Sequence, residues 1–123
     1  MNQAIKSIFL ATAIGAGASA WAATTFDHTA VATVDSTACA ALNGVDTVRI
    51  ALSKDNGGAY NCNSANVGLA AANSKGRGMV YSTHSAGGNA IVATPQQARF
   101  SSLTAAKTAA GTAADTALTN AGT

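Results

Sequence analysis

The chain opens on one apolar run and then breaks into short apolar segments divided by Gly, Asn and Ser. Ile8 to Ile14 is apolar apart from Thr12, is preceded by a single cation, Lys6, and runs on into Gly17, Ala18, Ser19, Ala20, Trp21 and Ala22. It is too short to span a bilayer, which takes about 20 apolar residues. A positive start, a short apolar centre and a small-residue ending, in that order, predict a secretory signal peptide over residues 1–22. Ala20-Trp21-Ala22 places cleavage between Ala22 and Ala23. Ala18-Ser19-Ala20 is a second fit, which would leave Trp21 as the first residue. No Cys follows the cut and no twin Arg precedes the run, so a bacterial-type general secretory route and a product without a lipid anchor are expected.

Beyond the leader the periodicity changes. Phe26 and Ala30 to Val34, with Thr interspersed, predict a strand within residues 24–34. Asp35 or Ser36 is placed to cap a short helix, Thr37 to Leu42, that stops at Asn43-Gly44. Val48, Ile50 and Leu52 alternate with Thr47, Arg49 and Ala51, the clearest period of two in the mature chain; Ile50 should face the core and Arg49 the outside. Ser53 to Gly58 reads as a tight turn that returns the chain as a partner strand, Ala59 to Cys62. Val67 to Ala72 suits a strand or a short helix, and Met79 to Thr83 and Ala90 to Ala93 read as strands. Polar, mostly Gly-rich turns divide these segments at residues 63–66, 73–78 and 85–89.

Thr94-Pro95 predicts a helix start, because Pro at the first helical position has no N–H to lose. Thr104, Thr108, Thr112 and Thr116 then recur every four residues, a step that drifts only about 40° around a helix. They would form one band, with Phe100, Leu103, Ala106, Ala110, Ala114, Ala117 and Leu118 on the other side and Lys107 intruding there. Thr and Gly111 lower helix propensity, and the chain has no Glu for side-chain pairing along the helix. This segment should be helical if it docks and a disordered tail if it does not. The expected fold is therefore α+β: a small antiparallel β-meander with a short N-terminal helix and an Ala/Thr-rich C-terminal helix or disordered tail. The expected organisation is a signal peptide at 1–22, a mostly β domain at 23–94, and the helix or tail at 95–123.

A mature domain this short buries a limited core and gains from a staple. Cys39 and Cys62 are the only cysteines. Export would place them where disulfides persist, and their spacing is unlike the C-x-x-C of redox pairs, so a structural disulfide is expected. Only 10% of residues are charged. The cations are scattered along the sequence and not interleaved with aromatics, so nucleic-acid binding is not expected. Nor is membrane attachment expected once the leader is removed.

Candidate chemistry is sparse. His28 and His84 are the only histidines. Asp27-His28 would pair badly as base and orienter, since neighbours on an extended chain point to opposite faces. Two His without further ligands are too few for a closed zinc site. Lys75-Gly76-Arg77-Gly78 offers two cations and backbone N–H groups to a phosphate or sulfated sugar, but lacks the ending of a P-loop. Lys54, Asp55 and Asn56, with Lys75 and Arg77, are candidate binding loops. The Thr-Ala-Ala repeat offers a regular hydroxyl-and-methyl surface, suited to ice, a flat polymer or O-linked sugars, although composition drift in a tolerant tail is the simpler account. No catalytic residue, metal site or cofactor is assigned. The expected role is a structural or surface-interaction module that binds another envelope or extracellular protein, a polysaccharide or itself, in the periplasm or outside the cell. A soluble extracytoplasmic binding module or inhibitor comes second, and a small hydrolase using His28 or His84 last.

Overall fold

The computed structural model describes residues 22–44, 47–86, 90–96 and 99–122. The segment up to Trp21, where a signal peptide is expected, lies outside them. In chain order the elements are β1 (Thr24–Asp27), β2 (Ala32–Val34), a 3-10 turn (Ala40–Leu42), β3 (Val48–Ile50), β4 (Asn56–Cys62), β5 (Val67–Asn73), β6 (Met79–His84), β7 (Val92–Pro95) and α1 (Leu103–Ala121). Five strands form one antiparallel sheet in the order β1-β4-β5-β6-β7, and β2 pairs with β3 in a separate ribbon. From β4 onward the sheet is a meander, as the alternation of short apolar runs and turns implied.

Four local expectations are corrected. The helix expected at Thr37 to Leu42 is a single 3-10 turn over Ala40–Leu42. Asp35 does not cap it: its carboxylate closes the preceding turn, accepting from the Thr37 and Ala38 N–H groups, and the 3-10 turn has no side-chain cap. The strand with the clear alternation, β3, pairs with β2 and not with Ala59 to Cys62; a period of two fixes a face but says nothing about the partner. The turn before β4 is one residue group earlier than expected. Asp55 takes the left-handed conformation at φ 66°, while Gly57 and Gly58 lie inside β4. Finally, Pro95 ends β7 instead of starting a helix. The helix begins at Leu103, where the Ser102 hydroxyl accepts from the Ala105 N–H at 3.1 Å.

One face of the sheet packs on α1, and the joint is built of small residues. Ala59, Ala70, Ala72 and Val80 from the sheet meet Ala106, Ala110 and Ala114 from the helix, with Phe100 packed alongside. Glycines let the two layers approach further. A Cβ on Gly57 would lie 2.6 Å from Lys107 Cγ, and one on Gly68 would lie 2.7 Å from the Leu118 backbone N and collide with the Ala114 carbonyl. The buried helix positions Ala106, Ala110, Ala114, Ala117 and Leu118 are the apolar side read from the sequence. The threonine band faces out, and the hydroxyls of Thr108, Thr112 and Thr116 each donate to the carbonyl four residues back.

A buried methyl contributes only about 0.8 kcal/mol, so an alanine joint gives little stabilisation per residue. The second core compensates on the opposite face of the sheet. There Val34, Cys39 and Tyr60 are buried among Phe26, Leu42, Ile50, Val67 and Leu69. Phe26 lies over Gly58 of the paired strand, and its ring centre is 6.3 Å from that of Tyr60. The Cys39–Cys62 disulfide ties the β2–β3 ribbon and its 3-10 turn onto this face. Ile50 is half-buried in this cluster and Arg49 is exposed, as the alternation required, while Val48 is also exposed.

Candidate functional site

The two faces are covered unequally. The ribbon and disulfide loop cover the outer face over β1, β4 and β5, and α1 covers the inner face over the same strands and β6. Neither reaches β7, where all four residues are exposed. Among the described residues, three of the five exposed large apolar side chains lie at this margin: Ile91 at 70%, Val92 at 56% and Tyr81 at 50% exposure. The other edge strand is polar, with Thr24, Thr25 and Asp27 beside Phe26.

The hydrogen-bond phase of β7 follows from one contact. The Gln96 N–H donates to the Gly78 carbonyl, in register with the Met79–Pro95 pair. Antiparallel ladders alternate, so Val92, Thr94 and Gln96 point their backbone groups toward β6. Ile91, Ala93 and Pro95 point theirs away from it. Pro95 thus sits where its missing N–H would have faced the open edge, the position a sheet tolerates.

Beneath β7 the helix and the sheet diverge, leaving an open groove of about 590 Å³. Its sheet side carries Val80, Ser82, His84, Val92 and Thr94, and its helix side Ala109, Thr112, Ala113 and Thr116. Methyls and hydroxyls alternate along it, and none of the described residues that line it is a carboxylate. On the outer face of the same margin a shallower depression of about 180 Å³ lies between Leu69, Ala71, Tyr81 and Ile91. The sequence signalled the helical wall, through the threonine band, but gave no sign that the band's middle would border a groove. That depends on where β7 ends.

The loops singled out in the sequence come together at one end of the sheet. Asn56 pairs with Asn73 across β4 and β5, and the Asn73 side chain donates to Asn56 Oδ1 at 2.9 Å. The Ser74 N–H donates to the Asp55 carbonyl at 2.8 Å. Lys54, Asp55 and Asn56 are therefore immediate neighbours of the turn that carries Lys75 and Arg77. Ala22 and Ala23, the proposed cleavage junction, immediately precede β1; Ala22 is exposed and Ala23 packs against the helix-side core.

The histidines are apart from each other. His28 Nδ1 accepts the Asp55 N–H at 3.2 Å and so braces the left-handed turn. Asp27 turns the other way. Its carboxylate accepts from the Thr29 hydroxyl and N–H and forms an ion pair with Lys107 Nζ at 3.0 Å. The Thr29 bonds first, and then Lys107, hold the Asp27 carboxyl well below the ordinary carboxylate range. Asp27 and His28 thus do not form an acid–base pair. His84 lies half-buried in the groove wall on the same strand face as Ser82. Among the described residues no group of three or more His, Cys, Asp or Glu is placed to hold a metal ion. No described helix is long and apolar enough to cross a membrane. Set against protein-family models, curated proteins and solved structures, the chain matches none.

Proposed function

We propose that the mature chain is an exported structural module that works through surface interaction, and that a second copy of itself covers the β6–β7 margin. The observation that carries this reading is the state of β7. An edge strand with outward backbone groups is a template for further pairing, and proteins that must stay single protect such edges with charges, bulges or cover. Here no Asp, Glu, Lys or Arg occurs between Met79 and Gln96, and Ile91 and Val92 stand exposed. A two-fold interface brings the same patch against itself and must be self-complementary. A neutral apolar strand meets that condition without like-charge repulsion, and offers a charged partner nothing to pair with. Export rests on the signal pattern, and the disulfide suits an oxidising compartment.

Sedimentation of the mature protein over a range of concentrations tests this reading. A monomer–dimer equilibrium that Ile91→Lys shifts to monomer is the expected result; a monomer at every concentration overturns it. The groove favours a second reading, a binding module that captures a short segment of another protein, because its volume lies in the range of ligand sites. A monomer that takes up one partner through the Thr112–Thr116 wall would support that alternative. A hydrolase using His84 ranks last.

A further inference from the structure

The sparse charge of this chain is segregated by the fold. Five of its seven Lys and Arg residues, Lys54, Lys75, Arg77, Arg99 and Lys107, lie at the end of the sheet where β4 starts and β5 stops. The Ser74–Asp55 backbone bond sets the Lys54 turn beside the Lys75–Arg77 turn. The Gln96–Gly78 bond holds the close of β7 at the same end, and Arg99 directly precedes Phe100, which packs against the alanine core just ahead of α1. α1 starts there as well, since Lys107 lies over Gly57 at the beginning of β4. The helix N-terminus adds partial positive charge to the same surface.

These cations are largely unspent. Lys107 with Asp27 is the one ion pair among the described residues. Lys54, Lys75, Arg77 and Arg99 are all exposed. Among the described residues, the only other carboxylate at this end is Asp55. Away from it, Asp35 is occupied by the Thr37 and Ala38 N–H groups, Asp115 accepts from Asn61 Nδ2, and Arg49 stands alone on the ribbon.

We infer that this end is a docking surface for an extended acidic polysaccharide. Arg presents a planar fork that matches a carboxylate or sulfate, and Lys adds a point charge. Between Lys75 and Arg77, and after Arg77, the chain carries only Gly76 and Gly78, so a stiff polymer chain can lie close to the turn. Two other polyanions fit less well. A nucleic-acid strand is held by stacking of bases on aromatic rings, and a bilayer by insertion of apolar side chains. Of the aromatic residues toward this end, Phe100 packs against the alanine core and Phe26 lies in the outer cluster. That leaves Tyr81, two residues in from the start of β6, as a single exposed ring and not a row of stacking platforms. The contact would be electrostatic and spread over four side chains, so it should weaken steeply with salt. This inference is independent of β7 pairing, which lies on a different margin.

The test uses the mature, disulfide-intact protein on immobilised polygalacturonate. Neutral dextran, vesicles of phosphatidylcholine and phosphatidylglycerol in equal amounts, and a single-stranded oligodeoxynucleotide serve as the other arms. Polygalacturonate should retain the protein, with affinity falling at least about tenfold between roughly 0.05 and 0.2 M salt. Lys75→Gln with Arg77→Gln should weaken binding by a comparable factor at low salt without moving the melting temperature, and Arg49→Gln should leave binding unchanged. Equal loss in Arg49→Gln would show an effect of net charge alone and overturn the site. Tighter binding to the vesicles or the oligonucleotide would overturn the choice of partner, and no retention on polygalacturonate would overturn the inference as a whole.

Discussion

At the scale of single residues, the glycines carry information that their usual association with turns conceals. Gly68 has no side chain because the helix backbone occupies that space: a Cβ there would meet the Ala114 carbonyl and the Leu118 N. Backbone atoms cannot step aside as the end of a flexible side chain can. Gly68→Ala should therefore cost about 3 kcal/mol, at the upper end of overpacking effects, whereas Gly76→Ala, with neighbours no nearer than 3.5 Å, should stay within about 0.5 kcal/mol. Chemical denaturation of the two variants gives the comparison. Asn56-Gly57-Gly58 read as a turn in the sequence for the same reason, because one sequence cannot distinguish glycine kept for positive φ from glycine kept for close approach. Asp27 supplies the second prediction at this scale. Its carboxyl is held low in the fold by Thr29 and Lys107. A depressed carboxyl stabilises the fold fully above its unfolded value, near about 4, and that stabilisation drains away as pH falls toward the folded value. Melting temperature should thus decline as pH falls through roughly 4 toward 2, and Asp27→Asn should show a shallower decline over that interval. A variant with the same slope as the parent would assign the acid sensitivity to other groups.

Among the elements, what the sequence revealed was faces, and what it withheld was partners. The buried side of α1 followed from residue spacing alone, because Ala106, Ala110 and Ala114 recur at helical intervals. Its start did not. Thr94-Pro95 satisfies the chemistry of a helix N-terminus and equally that of a strand end whose proline faces an open edge, and only the register with Met79 decides between them. β3 shows the same limit, since its alternation was correct and its partner was not. Two measurements check the energetics of these elements. Ala110 is fully buried at the joint, so Ala110→Leu should cost about 1–3 kcal/mol or more. Thr108→Ala on the exposed band should stabilise the helix by a few tenths of a kcal/mol, roughly the propensity difference. The disulfide closes a loop of sequence separation 23, for which loop entropy predicts a loss of about 3 kcal/mol on reduction. Because Cys39 belongs to the outer cluster and α1 to the inner one, hydrogen exchange in the reduced protein should rise first in β2, β3 and the 3-10 turn. Uniform acceleration that includes the α1 amides would show that the two cores do not open separately.

For the molecule as a whole, the decisive asymmetry is that one sheet edge is polar and the other apolar and open, and proline substitution can separate folding from assembly there. Ala93 and Thr94 are adjacent in β7 and both exposed. Their N–H groups nevertheless point in opposite directions. That of Thr94 is directed toward Val80 within the β6–β7 ladder, while that of Ala93 is directed to the open side, like the position Pro95 already occupies. Removing an inward N–H breaks a ladder bond, while removing an outward one only takes a donor from the edge. Thr94→Pro should therefore destabilise the domain by roughly 3 kcal/mol. Ala93→Pro should leave its melting temperature close to that of the parent at a concentration where the parent is monomeric. If a second copy pairs along β7, the ranking reverses in sedimentation: Ala93→Pro should be monomeric where the parent dimerises. If the copies meet only through the apolar side chains of the margin, Ala93→Pro should dimerise nearly as well as the parent, and Ile91→Lys alone should abolish assembly. A melt and a sedimentation series on the three variants thus distinguish backbone pairing from side-chain contact. Ala93→Pro unfolding as readily as Thr94→Pro would mean that the hydrogen-bond phase of β7 is the opposite of the one deduced from Gln96 and Gly78.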